Sequence, residues 1–196
     1  MKKINIKLIV GLSNPGEKYI DTRHNVGAWF IDTLCQQYGV TLKEDKKFFG
    51  LTTLMRYQNK DVRLLVPETF MNVSGKSVYA LTHFFNISLN EILVVHDDLD
   101  LEAGTVRLKF GGGHGGHNGL RNIFQQFGQQ KDFYRLRIGI GHPGHKSQVA
   151  SYVLKKPSLD EKIAIDNAIE EAIRCTDILF IEGMEKAMNR LHTYQG

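Results

Sequence analysis

The chain has 196 residues, a formal net charge of +4 at pH 7, 42% hydrophobic residues and 23% charged ones. One domain of that length, residues 1–196, can bury a core without disulfide or metal staples, and the composition excludes disorder and low complexity. No apolar run approaches the roughly 18 residues that a membrane span needs, and the only cysteines, Cys35 and Cys175, fall inside helical patterns without metal-ligand spacing, which points to a reducing cytoplasm.

The first predicted element is a buried strand in "INIKLIVGL". Lys7 interrupts its apolar run, and "SNPGEKY" follows where a signal peptide would carry a small-residue cleavage site, so it is not a leader. "HNVGAWFIDTLCQQYG" sets Val26, Phe30, Ile31 and Leu34 on one helical face and stops at Gly39. "LTTLMRY" and "DVRLLVP" flank Gln-Asn-Lys as a hairpin, and "VSGKSVYALTHFF" returns to helix. "EILVVH" reads as a second buried strand, "TVRLKF" as a half-exposed one, "GLRNIFQQFG" as a short helix and "YRLRIGIG" as a further strand. From Leu159 onward two amphipathic helices close the chain. The sum is an α/β single domain: a mixed, mostly parallel twisted sheet with helices on both faces and no internal repeat.

Charge is uneven along this order. Residues 101–150 hold Arg107, Lys109, Arg121, Lys131, Arg135, Arg137 and Lys146 against only Glu102 and Asp132, a local excess of five positive charges. Either an anionic partner or a plain solvated face accounts for it. By strand alternation Arg107 and Lys109 share a face, as do Arg135 and Arg137.

Open α/β sheets place their sites in the loops beyond the strand ends. Four such loops stand out, "GLSNPGEKYIDTRHN", "PETFMNVSG", "HDDLD" and "GGGHGGHNG", each setting Asn, His or Asp beside Gly. Gly lets backbone approach a substrate, and short amides both donate and accept hydrogen bonds. Gly111, Gly113 and Gly116 spell G-x-G-x-x-G, but the strand before them alternates charged and apolar residues, unlike the doubly buried first strand of a dinucleotide fold. "GLSNPGEK" fails as a phosphate loop because Glu17 follows the last Gly. His24, His96, Asp97, Asp98, Asp100, His114 and His117 lack the usual metal-ligand spacings, so no metal is expected.

His24 is better explained as a general base whose tautomer a carboxylate fixes. "VVHDDLD" supplies that carboxylate, and alternation lets one of Asp97 and Asp98 reach it without saying which. Asp98 and Asp100 are otherwise solvated turn residues. Asn72 and Asn118 also suit helix caps, and Asn14 suits the Asn-Pro-Gly turn. With no G-x-S-x-G elbow and no cysteine in a polar loop, water is the expected nucleophile.

Taken together and in order, "GLSNPGEKYIDTRHNVG", "FMNVSG", "HDDLDL", "GGGHGGHNGL" and "RLRIGIGHP" resemble bacterial-type peptidyl-tRNA hydrolase along nearly the whole chain. The resemblance implies cleavage of the ester between a peptide and the terminal ribose of its tRNA, with peptidyl-tRNA as partner and no cofactor. It further implies a monomer with neither an obligate protein partner nor a membrane. By the same resemblance His24 activates water, Asp97 supports it, and Asn14 recognises the blocked amino end. Tyr19, Phe70, Met71, Asn72 and Asn118 line the substrate site, while Lys109 and Arg137 take the tRNA 5′-phosphate. Ser13 stands where Gly or Ala is common, Asp98 where Glu is common, and "LEAG" where the family carries a proline turn. Two other classes fit the residues alone: a noncatalytic RNA-binding module, and a phosphorylase or nucleosidase on a similar sheet.

Overall fold

The computed structural model describes residues 5–194; the start of the expected first strand, at Ile4, lies outside them. Strand β1 (Leu8–Gly11) leads into helix α1 (Val26–Tyr38), which Gly39 ends in the left-handed region at φ 63°, its N–H reaching the carbonyls of Cys35 and Gln36. Three strands follow, β2 (Lys43–Asp45), β3 (Gly50–Tyr57) and β4 (Lys60–Pro67), then helix α2 (Ser74–Phe85) and strand β5 (Ile92–Asp98). Strand β6 (Val106–Phe110), helix α3 (Asn118–Gln126) and strand β7 (Tyr134–Gly139) precede three helices, α4 (Val149–Val153), α5 (Leu159–Ile181) and α6 (Met184–Thr193). A capping box starts α5, in which Ser158 and Glu161 satisfy each other's backbone N–H groups. Sequence periodicity finds each of these elements except β2 and α4, which span three and five residues and are too short to show a period.

The seven strands form one sheet in the order β2-β3-β4-β1-β5-β7-β6. The central four, β4, β1, β5 and β7, run parallel, and three antiparallel pairings, β2–β3, β3–β4 and β6–β7, extend the sheet on both sides. The parallel character is thus confined to the centre, where helices cover both faces. Ile9, Leu93 and Val95 face α1 and α5, whereas Leu8, Val10 and Val94 face α2 and α3. That two-sided burial explains why these strands read as continuous apolar runs. The outer strand β2 is short and charged, with Lys43 and Glu44 exposed.

Two glycines set how α1 meets the sheet. A Cβ on Gly11 would lie 2.3 Å from the carbonyl oxygen of Gly27, and one on Gly27 would lie 2.5 Å from both the Leu12 nitrogen and the Val95 oxygen. Only hydrogen fits between the first turn of α1 and the ends of β1 and β5, and this contact fixes the segment that carries His24. Gly27→Ala should therefore lower stability by about 1–3 kcal/mol, the usual range for overpacking, seen as a lower urea midpoint at unchanged slope. An unshifted midpoint would show that the backbone yields there.

Candidate active site

The loop after β1 returns to the sheet before α1 begins, and it is held at both ends. Leu12 N–H donates to the Val95 carbonyl at 3.0 Å. Asn14 N–H donates to Asn25 Oδ1 at 2.8 Å, while Asn25 Nδ2 donates back to the Asn14 carbonyl at 2.9 Å. Arg23, buried beside His24, donates to the carbonyls of Tyr152 and Lys155 and to Glu161, and it stacks over the Tyr152 ring at 4.0 Å. His24 thus sits on a pinned single turn, with little freedom to move relative to β5.

There it meets Asp97. His24 Nδ1 lies 2.8 Å from Asp97 Oδ1, and His117 Nε2 lies 2.9 Å from the same oxygen. The His117 tautomer follows from its other nitrogen: Nδ1 accepts the N–H groups of Gly119 and Leu120 at 3.2 and 3.4 Å, capping α3, so the ring proton is on Nε2 and is donated to Asp97. With Asp97 ionised and only 3% exposed, His24 must likewise present Nδ1–H. Its Nε2 lone pair is left unpaired among the described residues. Burial opposes the Asp97 charge, yet the facing imidazoles hold the carboxyl far below the usual range. For His24 burial works against the imidazolium, but the charge and hydrogen bond of Asp97 outweigh it and raise the pKa above 6.5.

The third histidine is different. His96 Nδ1–H donates to the Asp97 carbonyl at 2.7 Å, and complete burial pushes its pKa down to about 3, so it stays neutral. Ligand-type atoms of His24, Asp97 and His117 lie within 4.8 Å of one another. A cation bound there would have to displace two N–H donors from Asp97. Both cysteines are buried, and burial raises their thiols to about 11, so neither is a poised nucleophile.

A cleft of about 610 Å³ opens beside this network, lined by His24, Asp97 and His117, by the glycine loop 113–116, and by Lys109, Arg137, Arg121 and Lys146. The expected site residues divide around it. Asn118 and Lys109 line the cleft and are exposed; Asn118, the first residue of α3, accepts a bond from Arg121 at 3.2 Å. Asn14 is not part of the cleft lining; its Oδ1 accepts the Met71 N–H at 2.8 Å, and its Nδ2 has no partner among the described residues. Met71 is buried beneath, and Tyr19 and the half-exposed Phe70 meet edge to face at 6.5 Å. Asn72 is exposed on the turn before α2.

Asp97 pairs with His24, as the resemblance implies, and three expectations change. Asp98 is not a solvated turn carboxylate, because Arg137 Nε donates to its Oδ2 at 2.7 Å. Neither Asn72 nor Asn118 caps a helix; His117 caps α3 and also donates to Asp97, a part that its place among the possible metal ligands does not suggest. Arg135 shares the Arg137 face and also lines the cleft, but it is buried and donates to the carbonyls of Gly111 and Gly113, so it staples the glycine loop.

An α/β sheet with a carboxylate-supported histidine at the strand ends, beside a basic cleft and without a poised thiol, has the parts that a hydrolase acting through water on an anionic substrate requires. Its relatives make the class specific. The family model described as peptidyl-tRNA hydrolase matches residues 8–196. The peptidyl-tRNA hydrolase of Shewanella woodyi is 59% identical over 97% of this chain and 98% of its own, and that of Proteus mirabilis 57% identical over 97% and 98%. A crystal structure of peptidyl-tRNA hydrolase from Acinetobacter baumannii superposes with a TM-score of 0.94 at 47% identity, covering 100% of this chain and 98% of that one. The chain belongs to the peptidyl-tRNA hydrolase family, and with it to the hydrolases that act on ester bonds.

The raised His24 pKa has a signed consequence. A histidine acting as a base works only when unprotonated, so if His24 fills that role kcat/KM should climb with pH through a value above 6.5. Asp97→Asn removes the charge that raises it, and the acid limb should move to lower pH while the plateau falls. A pH–rate profile whose limb stays in place in the variant would detach it from His24.

Proposed function

We propose that the chain cleaves the ester linking a peptide, or an N-blocked aminoacyl group, to the 3′-terminal ribose of tRNA, with His24 as general base. The carrying observation is the 2.8 Å contact between His24 Nδ1 and Asp97 Oδ1, which leaves His24 Nε2 to take a proton from water as that water attacks the ester carbonyl. Asp97 holds the productive tautomer and stabilises the imidazolium that forms. The proton then passes from His24 to the departing ribose oxygen, freeing tRNA and peptide. Negative charge growing on the carbonyl oxygen is met by neutral amide donors, for which Asn72 and Asn118 are free. Asn14 Nδ2 binds a carbonyl at the blocked amino end, and the Tyr19–Phe70 pair with Met71 forms an apolar wall for the acyl group. Lys109 and Arg137 meet the 5′-phosphate of the tRNA.

In this reading the chain works as one domain and one monomer in the cytoplasm, without cofactor or metal. No helix among the described residues is long and apolar enough to cross a membrane. His24→Ala should lose about 10²-fold or more in kcat, the typical share of general-base catalysis, with its thermal unfolding little changed. Wild-type protein stripped with a strong chelator and assayed on a short blocked aminoacyl-RNA should keep its rate. Near-normal turnover in His24→Ala ends the mechanism, and activity restored to stripped protein by one stoichiometric transition metal would reassign His24, Asp97 and His117 as ligands.

The phosphate contacts are tested separately. Lys109→Ala and Arg137→Ala should each raise KM for full tRNA substrates far more than for a blocked aminoacyl-adenosine, and flatten the salt dependence of RNA binding by nearly one unit of slope. Equal losses on both substrates would place these cations in the catalytic centre or the core instead.

A further inference from the structure

Arg137 lies in a crowd of like charge. Arg107 stands directly opposite it across the β6–β7 pairing, Arg135 lies two residues back on the same face, and Lys109 stands opposite Arg135. The nearest carboxylate is Asp98, at the end of the neighbouring strand β5. Arg137 Nε donates to Asp98 Oδ2 at 2.7 Å, and Asp98 Oδ1 accepts the Asp100 N–H at 2.9 Å, so the carboxylate is itself held in place by backbone. Both side chains are mostly buried, 22% and 14% exposed, and both line the cleft.

The geometry of this pair is selective. A guanidinium offers a fork of five N–H groups, and its flat Nη1/Nη2 edge suits two phosphate oxygens at once. Asp98 uses Nε, and no described residue takes the hydrogens on Nη1 or Nη2. A counter-ion that merely relieved repulsion among the arginines would need neither a fixed carboxylate nor a bond to one particular edge. Burial works against the Asp98 charge, but its bonds to Arg137 and to the Asp100 backbone outweigh that and lower its pKa, so it stays ionised at neutral pH.

We propose that Asp98 is a positioning residue for phosphate recognition: by holding Arg137 through Nε it presents the Nη1/Nη2 edge to the 5′-phosphate of the tRNA, beside Lys109. The inference rests on the phosphate reading above and names the residue that makes Arg137 a directional contact rather than a diffuse charge.

The test compares one N-blocked aminoacyl-tRNA with a 5′-phosphate or a 5′-hydroxyl, and the ratio of the two KM values reports phosphate recognition independently of overall activity. Wild type should favour the phosphate by about tenfold, the scale of a charged hydrogen bond, and Arg137→Ala should bring the ratio down to the small remainder that Lys109 supplies. Asp98→Asn should cut it to about twofold even though losing a negative charge strengthens general attraction for RNA. Asp98→Glu, which restores the carboxylate, should recover most of it. Arg137→Lys, which keeps the charge but offers Asp98 its only ammonium, should also lose it; that variant decides the matter if Asp98→Asn does not fold. A ratio kept in Asp98→Asn or in Arg137→Lys overturns the positioning role, while loss in Arg137→Ala leaves the phosphate reading standing. A ratio near one in wild type, or kept in Arg137→Ala, overturns both.

Discussion

How closely a helix can approach the ends of two strands governs the rest of this molecule. Gly11 and Gly27 bring backbone against backbone, and the turn before α1 is driven down onto the end of β5. A buried carboxylate there would be costly if unpaired. Asp97 is offset by two imidazole N–H groups on one oxygen, and each donor is fixed by something else: His24 by the turn that Arg23 and Asn25 anchor, His117 by its cap on α3. Helix packing, capping and the pairing of the buried carboxylate are therefore a single arrangement seen from three sides.

The same economy governs the cations. A net excess of five over residues 101–150 suggests a broad positive surface, but most of those charges are already committed. Arg107 donates to the carbonyls of Val106 and Leu191, Arg135 to those of the glycine loop, Arg137 to Asp98, and Arg121 to Asn118. Only Lys109 among the strand cations has no side-chain or carbonyl partner among the described residues, and its end packs against Gly112, where a Cβ would sit 2.8 Å from Nζ. The total charge of the cleft therefore overstates how many free cationic edges it offers.

Much of this was legible beforehand because periodicity reports burial. The central strands read as apolar runs since both their faces are covered, and α1, α2 and α5 show their buried stripes. The four polar loops were recognisable because so many short amides and glycines rarely interrupt an apolar frame without purpose. What stayed hidden depends on contacts between residues far apart in the chain. Alternation put Asp97 and Asp98 on opposite sides but could not say which side held His24. The cap made by His117 depends on a ring orientation that sequence does not encode, although "GGHNGL" before an apolar helix marks the place. Arg135 and Arg137 look equivalent in "YRLRI", and only the carbonyls of the glycine loop separate a guanidinium that is used up from one with a free edge.

The outermost strand has a consequence beyond the site. β2 offers three residues, two of them exposed and oppositely charged, at the margin of a sheet whose interior is almost wholly aliphatic. A neighbouring copy seeking to extend the sheet there would find too few free backbone groups to bond and two charges to strip of water. That margin works as a terminator: on its side of a very hydrophobic sheet it leaves no template for a further strand.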